Sequence, residues 1–332
     1  RIIVFYPKHG VSPIQEKQMV TQKGANTYVV GITGNFDDAQ NGVKRIFGDT
    51  VINETLDKKG IFLSSANSIN WGRLVPQVVY YISAYCDMVN SGDIRLFDEI
   101  NVCVPTGNFG NILAAYIAKS MGLPIHSFIC ASNSNHVLTD FFETGTYNRK
   151  RPFHITSSPS MDILISSNLE RLLYLVCGSG ETAEYMTALA ENGSYTVSSA
   201  VKRELDHSFS GGCCSEESTA AEIKHIYRDY GYLCDTHTAV GLYCAEEYLS
   251  KVDDKRKILA ASTASPYKFA PSVLEALTEE KTKNELEALD RLESLTGVQI
   301  PLPLAGIAKR KIRFDPDKAI KAEDMPGVVL DD

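Results

Sequence analysis

The strongest chemical signal is the run Val102-Cys103-Val104-Pro105-Thr106-Gly107-Asn108-Phe109-Gly110-Asn111, in which a buried strand runs into a glycine-containing turn that opens a helix. In open α/β sheets, ligands gather at the carboxyl ends of the strands. The start of the next helix offers unpaired N–H groups and the positive end of the helix dipole, a combination suited to a phosphate. Gly107 and Gly110 let the backbone approach an anion closely. The run is neither a Walker loop nor GxGxxG, so on pattern alone a plain strand-to-helix turn stays open beside phosphate binding.

Four further clusters carry polar chemistry. In Ser64-Ser65-Ala66-Asn67-Ser68-Ile69-Asn70-Trp71-Gly72-Arg73, the Asn and Ser residues offer donors and acceptors of short reach. Arg73, on the first turns of a helix, offers a planar fork for carboxylate or phosphate; a helix cap with a solvated arginine reads the same residues. In the run from Ala260 to Phe269 an apolar strand ends in small hydroxyl residues, and Thr263 is placed to set a neutral hydroxyl beside a heterocyclic nitrogen, or simply to turn the chain. Around Tyr6-Pro7-Lys8-His9-Gly10, Lys8 and His9 reach toward a cleft or stand solvated in a loop. In Asp235-Thr236-His237-Thr238-Ala239 the histidine reads as a helix cap. No Ser-His-Asp order, HExxH or nucleophile elbow is present. Three strand tips, carrying Asn108, Arg73 and Thr263, are expected to converge on one cleft.

The elements that must position these residues alternate in the sequence. Strands are expected over 2–6, 27–32, 61–63, 101–105, 126–131 and 257–261. Helices are expected over 14–22 (capped by Ser12, with Pro13 in the first turn), 36–47, 71–90, 111–121, 136–143, 168–177, 182–192 and 216–230, with another opening at 272. Residues 144–165 read as irregular, and from about Glu280 onward a closing helix and a proline-rich surface tail are expected. Such alternation favours parallel sheets with helices on both faces. A domain boundary near 91–97 would separate residues 1–95 from 96–332.

Bulk properties narrow the classes. The chain has 332 residues, 44% hydrophobic and 22% charged, with 33 Lys and Arg against 41 Asp and Glu, a formal charge of −8. There is no bulk electrostatic reason to bind nucleic acid or an anionic membrane. No apolar stretch approaches the ~20 residues of a membrane span, and no signal peptide is visible. The eight cysteines form no CxxC pair and no zinc spacing, and His207 near Cys213 and Cys214 reads as part of a loop rather than a metal site. Reduced thiols in a cytosolic protein fit this usage. The chain opens on Arg1 and an apolar strand, so residues upstream are expected to be missing, and the surface they leave open is expected to promote association between copies, including a homo-oligomer.

Taken together, PTGNFGN at 105–111, SANSINWGR at 65–73, YPKHGVSPIQEKQM at 6–19, SMDILISSNLERL at 160–172, DTHTAVG at 235–241 and TASPYKF at 263–269 resemble the threonine synthase family in content and order. The resemblance weakens after about Glu280. It implies a fold-type II pyridoxal-phosphate enzyme of the tryptophan-synthase β-like fold: α/β, two three-layer α/β/α domains with mainly parallel sheets, and an N-terminal portion missing. It implies a carbon–oxygen lyase that converts O-phospho-L-homoserine and water to L-threonine and phosphate by γ-elimination and β-addition. Gly107, Asn108, Phe109, Gly110 and Asn111 would cradle the phosphate of pyridoxal 5′-phosphate, and Thr263 would face its pyridine nitrogen. Asn67, Ser68, Asn70 and Arg73 would lie near the substrate, with Lys8 and Lys268 as candidates for its phosphate. The family's Schiff-base lysine lies in a Phe-Lys-Asp segment upstream of the strand matching 2–6, and a ring-contacting Ser-Gly-Asp-Thr-Gly loop lies there too. Neither occurs in this sequence, so no catalytic residue is assigned and these residues alone are expected to form no threonine. A related pyridoxal-phosphate-dependent phospho-lyase and a non-catalytic binding or regulatory module are the alternatives.

Overall fold

The structure, a computed structural model, describes residues 1–66, 68, 70–282 and 284–331, which form two compact units: residues 1–64 with those from 280 onward, and residues 65–279.

In the first unit, β1 (Ile2–Pro7) pairs in parallel with β2 (Thr27–Thr33). A parallel pair needs a crossover, and α1 (Pro13–Val20) supplies it. Its start is fixed by a reciprocal cap: Gln15 N–H donates to the Ser12 hydroxyl, and the Ser12 N–H donates back to the Gln15 side chain. Next come α2 (Phe36–Gly48) and α3 (Thr50–Lys58). Their apolar stripe, with Ala39, Ile46, Ile52 and Leu56, closes over Ile32.

The second unit runs α4 (Trp71–Asn90), β3 (Ile100–Pro105), α5 (Gly110–Ser120), β4 (Ile125–Ser132), α6 (Val137–Thr144) and β5 (Thr146–Asn148). It continues with α7 (Leu169–Asn192), β6 (Ser194–Thr196), α8 (Ser199–Asp206), β7 (Phe209–Cys213) and α9 (Glu216–Tyr230). It ends with α10 (Thr236–Lys251), β8 (Ile258–Ala260) and α11 (Ala270–Thr278). The main sheet has the order β7-β4-β3-β8 with every pair parallel. Every residue of β3 is buried, as befits a strand covered on both faces. Leu74, Val78, Tyr81 and Tyr85 of α4 share one core with Ile112 and Leu113 of α5. β5 and β6 form a separate antiparallel pair in which the rings of Tyr147 and Tyr195 stack 5.5 Å apart.

The chain then returns to the first unit as α12 (Glu285–Thr296), β9 (Ile320–Lys321) and α13 (Met325–Leu330). No helix among the described residues is long and apolar enough to cross a membrane.

The mainly parallel α/β architecture agrees with the expected class, but several details differ. The boundary expected at 95/96 falls inside the second unit, because the buried face of α4 belongs to that unit's core. No strand forms at 61–63: Phe62 is 84% exposed, so there is no apolar layer for a strand to cover. The tail is no mere surface segment: β9 adds a parallel strand to β2, and Met325 is fully buried against α2. The two helices expected over 168–177 and 182–192 are both present within α7, meeting at Gly178, whose φ of 76° is non-helical. Glycine-rich 209–213, expected as a loop, is a strand; a Cβ on Gly211 would lie 2.8 Å from the Thr139 Cα, so the close seat of α6 on β7 demands glycine there. Among the described residues no group of three or more His, Cys, Asp or Glu is placed to hold a metal ion.

Two expectations follow from this packing. Leu113→Ala should lower the unfolding free energy by about 2–5 kcal/mol in urea titrations, whereas Val79→Ala, on the exposed side of α4, should change it by less than about 0.5 kcal/mol. Glu222 of α9 is buried, with Oε1 lacking a partner among the described residues; desolvation first, and then the charge of Glu246, raise its carboxyl from an ordinary 4.5 to about 7. Because the folded state holds this proton more tightly, stability should fall as pH rises from about 4.5 to about 7 and level off above. Glu222→Gln should remove that slope in melts recorded across this range.

Candidate active site

The strand order sets the site. From β3 the chain moves outward through β4 to β7, then returns as β8 on the other side of β3. The order therefore reverses between β3 and β8, and such a switch point leaves a crevice at the carboxyl ends of the strands. Cys103 of β3 lies opposite Ala260 of β8, and Ala261 N–H donates to Cys103 O at 2.9 Å. The turn 105–111 and the turn 261–266 thus emerge side by side.

The β3–α5 turn presents backbone rather than side chains. Phe109 adopts a left-handed conformation with φ 63°, and its side chain, 1% exposed, packs against Phe142 and Phe209. It provides no cap, and among the described residues no side chain is hydrogen-bonded to the N–H groups that open α5 at Gly110. The donors at the mouth of α5 are therefore backbone N–H groups at the positive end of an eleven-residue helix, which fits a phosphate. Gly107 and Gly110 are required here by packing within the protein. A Cβ on Gly107 would lie 2.4 Å from Ser160 O, and one on Gly110 would lie 2.9 Å from the Ser68 Cβ. Both glycines let neighbouring loops close onto the turn.

Those loops are fastened by buried polar groups. Asn168, fully buried, donates from N to Asn108 O at 3.1 Å and from Nδ2 to the same oxygen at 2.7 Å and to Ser68 Oγ at 2.9 Å. Ser166 Oγ donates to Gly107 O at 2.7 Å. The Asp162 carboxylate accepts from Asn133 Nδ2 at 2.8 Å, Asn135 Nδ2 at 3.0 Å, Thr156 Oγ1 at 2.7 Å and Thr156 N at 2.9 Å, locking the 154–162 segment onto the end of β4. From the other side, His237 Nε2 accepts from Ser160 N at 3.2 Å. Its Nδ1 must then carry the proton, which it donates to Asp235 Oδ1 at 3.0 Å. Asp235, rather than the expected histidine, is the cap of α10, accepting from His237 N at 2.8 Å.

The sequence-derived residues divide accordingly. Gly107 to Asn111, Thr263 and Ser68 are gathered around the switch point. Asn111 Oδ1 accepts from the Tyr81 hydroxyl. Thr263 is exposed at the β8 tip with no hydrogen bond among the described residues. Arg73 stands in the first turn of α4 and not on a strand tip, because no strand precedes it; its Nη1 donates to Ala66 O at 2.7 Å. Asn70 uses its side chain as the α4 cap, accepting from Gly72 N at 2.8 Å and donating to Ser65 O at 2.6 Å. Lys268 Nζ lies 5.3 Å from the centre of the Phe269 ring. Lys8, in the first unit, pairs with Asp317 at 2.6 Å. Asn67 lies outside the described residues. Sequence reasoning singled out none of Asn133, Asn135, Asp162 and Asn168 individually; the available signals were the Ser132-Asn133-Ser134-Asn135 run closing an apolar strand and the 160–172 motif, which contains Asp162 and Asn168.

Comparison with known proteins identifies the arrangement. A family model described as threonine synthase, C-terminal, matches residues 238–315. Threonine synthase from Saccharomyces cerevisiae is 38% identical over 293 residues, covering 83% of this chain and 55% of that protein. Threonine synthase-like 1 from Homo sapiens is 46% identical over 281 residues, covering 83% of this chain and 37% of that protein. A crystal structure of PLP-bound threonine synthase from Brucella melitensis superposes with a TM-score of 0.82 at 34% identity, over 99% of this chain and 65% of that one.

The chain belongs to the threonine synthase family.

It spans about a third to a half of the length of the curated family members it matches. Its fold is that of the fold-type II threonine synthase structures. The family motifs at 105–111, 160–172 and 235–241 are the segments tied together by the hydrogen bonds above.

Gly107→Ala should destabilise the chain by about 1–3 kcal/mol, because Ser160 O is backbone and must be displaced as a segment. Asp162→Ala, which strands several buried donors on one carboxylate, should cost about 2–5 kcal/mol. Guanidinium unfolding of each variant measures both.

Proposed function

We propose that the chain holds the phosphate of pyridoxal 5′-phosphate in the β3–α5 turn, as part of a carbon–oxygen lyase that converts O-phospho-L-homoserine and water to L-threonine and phosphate. The observation that carries this reading is the uncapped start of α5 at the sheet's switch point, flanked by the β8 tip. The bound cofactor supplies an electron sink for carbanion chemistry. The chain's own residues bind and orient. The N–H groups of the Gly107–Asn111 turn hold the phosphate. Thr263 sets a neutral hydroxyl at the pyridine nitrogen, so that no side-chain charge is forced onto the ring. Ser68, fixed by Asn168, and Arg73 face the substrate, with Lys268 as a cation for its phosphate. No lysine in the sequence sits in a Phe-Lys-Asp context, so the group that bonds the cofactor and moves the substrate's proton is not supplied by these residues. The eight cysteines, all free, suit a reducing cytosolic setting.

A second reading keeps the family but not the reaction: identity to the human threonine synthase-like 1 (46%) exceeds that to the yeast threonine synthase (38%), and a related phospho-lyase is the alternative activity. Product analysis on a chain that carries the upstream lysine segment separates the two, since threonine supports the first and 2-oxobutyrate the second.

Equilibrium dialysis of these 332 residues tests the cradle itself. Pyridoxal phosphate should bind saturably, at least about tenfold more tightly than unphosphorylated pyridoxal, and Gly110→Ala should remove that advantage. Equal affinity for the two would refute the assignment. These residues alone should form no threonine from O-phospho-L-homoserine.

A further inference from the structure

The first unit carries a second concave surface, unrelated to the strand tips. The crossover helix α1 runs back from the end of β1, so its C-terminal end lies beside the start of β2. There Thr21, Gln22, Lys23 and residues 310–313 line a hollow of about 670 Å³, within the size range of small-molecule sites. Lys23, Arg310, Lys311 and Arg313 all line it, and none of its lining residues is acidic, in a chain whose net charge is −8.

Two of these cations are anchored without being neutralised. Arg313 N and Phe314 N donate to Val20 O at 2.8 and 3.1 Å, stitching the segment to the end of α1. Arg313 Nη1 donates to Gln22 O at 3.3 Å and to Gly24 O. Arg310 Nη2 donates to Leu302 O at 3.1 Å and Ala305 O at 3.0 Å. Carbonyl oxygens fix the guanidinium planes but leave their charge in place. Among the described residues, none of the four cations has a carboxylate partner. Four like charges gathered on one hollow repel each other unless an anion is shared between them. Each arginine keeps further N–H donors, and the two lysines are mobile point charges at the rim; fixed forks with flexible ammonium groups suit phosphate oxygens.

We propose that this hollow binds a small, multiply charged anion of the phosphate class, a free oligophosphate or phosphorylated metabolite. Isothermal titration of the full chain with inorganic pyrophosphate at low ionic strength tests this. A saturable component is expected that weakens at least tenfold in the Lys23→Gln/Lys311→Gln double variant and persists in Gly110→Ala, which alters only the other site. Both lysines are exposed, so the double variant should keep the wild-type circular-dichroism melt. Unsaturable heats, or equal affinity in the double variant, would overturn the proposal. So would binding to phosphoinositide vesicles without binding to pyrophosphate, since that would assign the surface to a lipid headgroup.

Discussion

The candidate site depends on β3 pairing in parallel with two neighbours that lie on opposite sides in chain order, β4 and β8. That pairing places the β3–α5 turn and the β8 tip at one end of one sheet, with the chain leaving in opposite directions on either side. A crevice there is a consequence of topology before any side chain is considered. An uncapped helix start then makes the crevice attractive to an anion without any lysine or arginine on the turn itself.

A cradle of backbone N–H groups works only if the backbone is held still. Here the restraint comes from buried polar groups rather than from apolar packing alone. Asn168 ties the turn's carbonyl oxygen at Asn108 to Ser68, and Asp162 gathers donors from two different segments. His237, oriented by Asp235, holds the same 154–162 segment from the α10 side. Such networks are costly when half made and rigid when complete, which suits a site that must be preformed. The two glycines of the turn belong to this mechanism of restraint, since any side chain at either would push a neighbouring loop away.

Much of this was legible in the sequence where local signals agreed. The apolar run of β3 followed by Gly107 and Gly110 announced a strand, a turn and a helix, and the stripe of α4 gave the helix its full length from Trp71 to Asn90. Elements whose composition answers to tertiary contact were not legible. Gly211 and Gly212 read as a loop because the reason for them, the approach of Thr139 and Cys244, lies elsewhere in the chain. β9 is two residues long and exists because β2 offers a free edge. Arg73 stands on the first turns of a helix, as its sequence context indicates, but not at a strand tip, since 61–63 forms no strand and Phe62 is 84% exposed. The functions of Asn133, Asn135, Asp162 and Asn168 are partnerships across distant stretches of sequence, which spacing does not reveal.

The most direct test of the central claim is a crystal structure of the chain grown with pyridoxal phosphate. The account predicts the phosphate within hydrogen-bonding distance of the backbone N–H groups of Gly107 to Asn111, with the pyridine nitrogen toward Thr263. A phosphate bound at any other place, with the start of α5 left to solvent, would contradict it.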